Sequence, residues 1–203
     1  MGLTSRNETR ESQIRETHMS RLKPIPPENM TADQKRIADM ISRQRQAPVR
    51  GPFAVLLRAP EIAEPFANFV DLSLDEEKSR LPLRLKELAI VTVARAFSSD
   101  YEWFIHAPRA IKFGIDASAV DAIRHHRTPK FAAADEEIVY DVTKEMADTR
   151  QLSDANYRRA FEAFGEAGMV ELATLIGFYH TVSIVLNTFR VEAPEGEPHP
   201  MKV

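Results

Sequence analysis

The sequence predicts an all-α protein, and three observations carry the prediction. No stretch alternates apolar and polar residues at period two for long enough to form a convincing strand. Helix-start residues recur along the chain, each followed by apolar residues at helical spacing. Only seven glycines occur in 203 residues, which agrees with a compact helical protein and leaves little turn chemistry for hairpins.

The elements follow in chain order. Residues 1–23 are polar, with few aliphatic residues and no Phe, Tyr or Trp. They read as an N-terminal arm, either solvated or packed on a neighbouring subunit or a nucleic acid. Residues 24–191 are read as one helical domain and residues 192–203 as a Pro-rich tail. Thr31 with Gln34 makes a capping box for a helix over about 31–46, and the Pro-rich segment 47–60 breaks it. A second helix is expected over about 61–74, with Pro65 in its first turn. Pro82 opens a helix to about Phe97, Asp100 starts one ending near Gly114, and Asp116 opens a short one to His126. The His125–His126 pair at its end reads as a C-terminal charge feature. Asp135 is expected to cap about 136–149 and Ser153 to cap about 154–165. Gly168 leads into a long apolar helix ending near Arg190.

Composition narrows the function. The chain carries 27 Lys+Arg against 30 Asp+Glu, a net charge of −3, with 43% hydrophobic residues. That balance gives no general reason to bind nucleic acid, although residues 1–50 hold ten basic and six acidic residues. No apolar run reaches the roughly 20 residues of a membrane span, and the N-terminus lacks the apolar core of a signal peptide. No membrane association and a cytoplasmic location are therefore expected. The absence of cysteine excludes disulfides, thiolate metal sites and every thiol mechanism.

Three features carry candidate chemistry. The helix from Pro82 to Phe97 is apolar nearly all round, which marks a buried helix, yet Glu87 shares a stripe with Leu83, Ile90 and Ala94. A carboxylate there needs a partner or a raised pKa. A structural ion pair with Arg84 or another basic residue and a site role both meet that need. On the next helix Glu102 and His106 stand at i and i+4, on one face, where an acid and an imidazole can share a proton. Ser99-x-x-Glu102 is equally a capping box, in which Glu102 would reach back to the backbone of Ser99. Pro108 is expected to bend this helix just after His106. In the last helix His180 lies on an apolar stripe with Ile176 and Ile184, either as a core histidine or as a fourth member of a site. Tyr179 and Asn187 there need partners if buried.

The run Leu85-Lys-Glu87-Leu-Ala-Ile-Val-Thr-Val-Ala-Arg95, then Ser99-Asp-Tyr-Glu102-Trp-Phe-Ile-His106, then Gly114-Ile, resembles the carboxymuconolactone decarboxylase / alkylhydroperoxidase D superfamily. Peroxidase members of that superfamily carry a glutamate, eleven residues, then Cys-x-x-Cys-x-x-x-His. On this sequence the glutamate falls on Glu87, the cysteines on Ser99 and Glu102, and the histidine on His106. The histidine often found between the cysteines falls on Tyr101. The resemblance implies an alkylhydroperoxidase D-like helical bundle and a homo-oligomer, commonly a trimer or hexamer. Without thiols, neither Ser99 nor Glu102 can attack a peroxide or resolve a sulfenic acid. The decarboxylase branch needs no thiol pair.

The leading expectation is therefore a cofactor-free acid/base lyase or isomerase acting on a small carboxylic acid or lactone. Glu87, Glu102, His106 and His180 are its candidate catalytic residues. Arg95 and Arg109 are candidate clamps for a substrate carboxylate, with Tyr101 and Ser99 as further substrate-binding candidates. Neither cofactor nor metal is part of this expectation. A metal site using Glu102, His106 and one of Glu87 or His180, a peroxidase-related protein without thiol activity, and a non-enzymatic oligomeric scaffold are the alternatives.

Overall fold

A computed structural model describes residues 20–193 and Met201. The arm expected at 1–23 therefore lies mostly outside the described residues, as does most of the 192–203 tail. Within the described part of the arm, the Ser20 hydroxyl and the Arg21 amide donate to the carbonyl of Phe189, and the Arg21 guanidinium donates to that of Thr188. The tail returns at Met201, whose amide donates to Asp100 Oδ1 at 2.9 Å. Eight α-helices and one 3-10 turn (Pro27–Asn29), with no strand, make up the regular structure of the described residues.

Helix α1 (Ala32–Arg45) begins with both bonds of the capping box, Thr31 amide to Gln34 Oε1 and Gln34 amide to Thr31 Oγ1. The segment after it is not wholly irregular, because a short helix α2 (Pro52–Leu56) forms there. Pro52 starts it, and its buried Phe53, Val55 and Leu56 hold it against the core; five residues give too short a window for helical periodicity to register. Helix α3 (Pro60–Ser73) starts on Pro60, so Pro65 lies inside the helix rather than in its first turn. Its buried Ala63, Ala67 and Val70 recur at helical spacing and face α1 and α2.

Helix α4 (Leu83–Ala96) is the axis of the molecule, with every residue from Leu85 to Arg95 buried. It packs against α5 (Asp100–Lys112), α7 (Ala134–Thr149) and α8 (Asp154–Phe189), and less extensively against α6 (Ala117–Arg124). Two cations on α4, the buried Lys86 and the half-buried Arg84, have partners on other elements. Lys86 Nζ donates to the carbonyl of Ser73 at 2.7 Å and stands 3.4 Å from Glu171. Arg84 pairs with Asp135 at 2.5 Å and Glu136 at 3.0 Å, tying α4 to α7. That pairing displaces the expected cap: α7 starts after Ala133 with no side-chain cap, and Asp135 sits in its first turn on Arg84. Asp116 does cap α6, and Ser153 does cap α8. His126, at φ +54°, takes the left-handed position just after α6.

The last two expected helices run on as one element, α8, with a kink at Gly165, where the first of them is expected to end. Gly165 adopts φ +66° and ψ −177°, a conformation essentially restricted to glycine. Gly168 is helical and packs against Phe164 and Leu81. Contrary to the hydropathy reading, α8 contains a window long and apolar enough to cross a membrane by length and composition; 44% of that window is buried inside the fold. Two hydrophobic clusters result. The larger surrounds α4, the smaller joins α1, α2 and α3, and Phe66, Leu74 and Phe178 border both.

Candidate functional site

A Schellman turn fixes how α5 returns along α4. The Ser99 amide donates to the carbonyl of Ala94 at 2.8 Å and the Ser98 amide to that of Arg95 at 3.1 Å, with Ser98 in the left-handed region at φ +49°. Asn187 of α8 clamps the turn by donating to the Phe97 carbonyl at 2.7 Å. Three connecting residues thus set the two helices side by side, and the inner face of α5 meets Glu87.

Glu87 is fully buried and holds two partners. His106 Nδ1 lies 2.6 Å from its Oε2, and Arg109 Nε donates to its Oε1 at 2.7 Å. Because Arg109 already matches the carboxylate's charge, the neutral ring with its proton on Nδ1 satisfies the Glu87 bond, leaving the Nε2 lone pair free. Nε2 lies 3.4 Å from Glu102 Oε2, a contact too loose to make a well-formed hydrogen bond, and Oε2 has no other partner. Such contacts commonly tighten when a substrate closes the site. Glu102 turns toward His106 and not to the helix start, where Ser99 makes no side-chain cap bond.

Burial is the main force raising the Glu102 pKa above its ordinary value; the nearby Glu87 charge adds to it and His106 opposes it. Glu102 is therefore the member of this chain that favours holding a proton. Tyr179 stands edge-on to the imidazole, ring centres 5.3 Å apart, and burial pushes its hydroxyl pKa well above the usual tyrosine value. Burial likewise pushes Tyr101 up to about 12. Both phenols are proton donors or hydrogen-bonding walls, not bases.

Glu102, His106, Arg109, Tyr101 and Tyr179 line a cavity of about 340 Å³ at the junction of the two hydrophobic clusters. Phe53, Phe66, Val70 and Val182 supply apolar wall, and Arg45, Arg50 and Asp71 complete the rim. The volume falls at the small end of ligand pockets.

The other sequence candidates lie elsewhere. Arg95 is not among the lining residues; its guanidinium approaches Ser98 Oγ and Met201 Sδ, both at 3.3 Å. Ser99 is buried with its hydroxyl unpartnered. His180 packs on Phe97 at 4.9 Å with Nε2 unpartnered, and burial lowers its pKa. Glu87 sits behind His106, touching the cavity only through it. Arg45, Arg50 and Phe53 escaped the sequence reading; the one available signal was Gly51, amid a proline-rich segment too short for periodicity. Among the described residues, no group of three or more His, Asp or Glu side chains is arranged to hold a metal ion.

The site is thus a buried carboxylate–imidazole–carboxyl chain, Glu87–His106–Glu102, opening on a small cavity in an all-helical frame. Residues 60–145 match the carboxymuconolactone decarboxylase family, and the sequence contains no cysteine. The all-helical architecture is consistent with the alkylhydroperoxidase D-like fold. No curated protein matches the chain.

Proposed function

We propose that this protein is a cofactor-free acid/base lyase or isomerase acting on a small carboxylic acid or lactone. The observation that carries the reading is the chain Glu102–His106–Glu87, with contacts of 3.4 and 2.6 Å, whose Glu102 end lines the cavity. In a decarboxylation, the C–CO2 bond breaks and its electron pair flows into a conjugated carbonyl, giving an enolate. Glu102 delivers its proton to carbon, and the C–H bond that forms restores a neutral product. The Glu102 carboxylate then recovers a proton from solvent, either directly or by way of His106 Nε2, which takes up a proton and passes it to Glu102 while Glu87 holds the ring in register. An isomerisation uses the same parts, with His106 Nε2 removing one proton and Glu102 returning another.

The test is a panel of unsaturated lactone acids and β-keto acids, followed for CO2 release or movement of a double bond. Turnover that Glu102→Gln abolishes, in a variant that remains folded, supports the reading. No turnover across the panel, or turnover that survives Glu102→Gln, overturns it. The same reading takes the chain as a homo-oligomer, trimer or hexamer. Val170 and Ile184, more than half exposed on α8, are its support; a monomeric mass by light scattering at micromolar concentration would refute it.

A further inference from the structure

We infer that Arg45 and Arg50, contributed by the chain ahead of the family-matching segment, form the subsite that holds a single carboxylate of the substrate. The inference rests on the acid/base reading of the same cavity and names the group that anchors the substrate opposite Glu102.

Arg45 closes α1, and its guanidinium is held on two sides. It lies over the Phe53 ring at 4.3 Å and donates one Nη2 bond to Asp71 at 3.0 Å, while Nε is buried with no hydrogen-bond partner. Arg45 lines the cavity, and its guanidinium keeps N–H groups with no partner, a desolvation cost that an incoming oxygen atom within reach relieves. Arg50 lines the same cavity on its exposed side and makes no ion pair among the described residues. Arg109, by contrast, is committed to Glu87.

Charge matching sets the valence. Three arginines reach the cavity or its buried backing, and Asp71 and Glu87 match two of them. With Glu102 protonated, one positive charge is left over, which suits a monocarboxylate and not a phosphate dianion. The guanidinium fork also matches the plane of a carboxylate. Phe53 and Phe66, edge-to-face at 6.2 Å, line the same cavity, a wall suited to a flat conjugated body. Specificity then resides in α1 and the 46–53 segment, whereas the proton chemistry resides in α4 and α5.

The test is calorimetric binding of trans-cinnamate and of the neutral trans-cinnamamide to the full-length protein. The expected result is cinnamate bound about tenfold or more tightly than the amide, the scale of one charge-assisted hydrogen bond. Arg50→Gln, at an exposed position that leaves the core untouched, should remove most of that preference, and Arg45→Gln should do the same. Glu102→Gln should keep it, so absence of turnover with the preference intact counts against the acid/base reading alone. Equal binding of acid and amide, no binding of either, a preference that survives both arginine variants, or inorganic phosphate binding as tightly as cinnamate would each overturn the inference.

Discussion

Replacing Glu102 by Gln should stabilise the folded protein at neutral and mildly alkaline pH while changing nothing near pH 4. Glu102 is almost wholly buried, and burial raises its pKa above the ordinary value of 4.5. Between that ordinary value and the higher folded one, the unfolded chain has released a proton that the fold retains. The unfolded state then binds fewer protons, and stability falls as pH rises through this window. Each pH unit inside the window costs about 1.4 kcal/mol. Gln cannot ionise, so the variant lacks the slope. It keeps the side chain's volume, and its amide N–H can face His106 Nε2 as the carboxylic acid does. The amide nitrogen takes the place of the wild type's Oε2, which has no hydrogen-bond partner either and lies 3.4 Å from Nε2, so that desolvation cost nearly cancels in the comparison. The expected difference is near zero at pH 4, grows in favour of the variant as pH rises above 4.5, and levels off once pH passes the folded pKa. Urea unfolding followed by far-ultraviolet circular dichroism at pH 4, 6 and 8, at one protein concentration, measures it. Carboxylates held below their ordinary pKa by local bonds, such as Asp116 and Glu145, carry a slope of opposite sign, but it is common to both proteins. A variant less stable than wild type at pH 8, and level with it at pH 4, would refute the reasoning. Glu102 would then be an ionised partner of a cationic His106, not a proton donor.

Three further outcomes are expected. Gly51→Ala places a Cβ 2.4 Å from the Tyr101 ring at a backbone φ of +61°, so it should lose about 2–4 kcal/mol of stability through strain and overpacking; a loss below about 0.5 kcal/mol in urea melts would mean that the 46–53 wall moves freely. Ser98→Gly relieves a left-handed serine in the α4–α5 turn and should gain about 0.5–1 kcal/mol, whereas a destabilised variant would show that the Ser98 hydroxyl contact with Arg95 outweighs the backbone term. Dithiol-dependent turnover of an alkyl hydroperoxide should be absent from metal-free protein, because no residue can form the sulfenic acid that such turnover requires; any reductant-dependent rate above background would contradict this.

The all-helical class and most of the helices were legible because their start signals are local. Thr31 with Gln34, Asp116 and Ser153 each bond the turn that immediately follows, and no distant residue competes. The misplaced cap has a distant cause. Asp135 looks like a cap until Arg84, on another helix, claims it. The α8 kink at Gly165 falls where the sequence ends the helix begun at Ser153, because glycine there takes a backbone conformation other residues avoid. The candidate site divides along the same line. Spacing alone puts Glu102 and His106 on one face and Glu87 on a buried stripe, but spacing does not say whether Glu102 turns to its own helix start or to the imidazole. Arg45 and Arg50 reach the cavity from more than fifty residues before His106, a juxtaposition no local pattern encodes.

The two positions that align with cysteines in peroxidase members have become unlike environments. Ser99 is sealed in the core with its hydroxyl unpartnered, whereas Glu102 stands at the cavity wall beside His106. What occupies the place of a thiol pair is therefore a proton chain, and nearly all of it lies on one helix face. Glu102, His106 and Arg109 follow at i, i+4 and i+7 along α5, and Glu87 enters from α4 to join the last two. Each member fixes the state of the next. Arg109 matches the charge of Glu87, Glu87 orients the imidazole through Nδ1, and Nε2 is left facing the carboxyl whose pKa burial raises. Removing Arg109 would free Glu87 to draw a second proton onto the ring, and a cationic His106 would pull Glu102 toward its ionised form. Arg109 is on this account a positioning residue, and Arg109→Gln should shift the pH profile of turnover while leaving the preference for a carboxylate ligand in place.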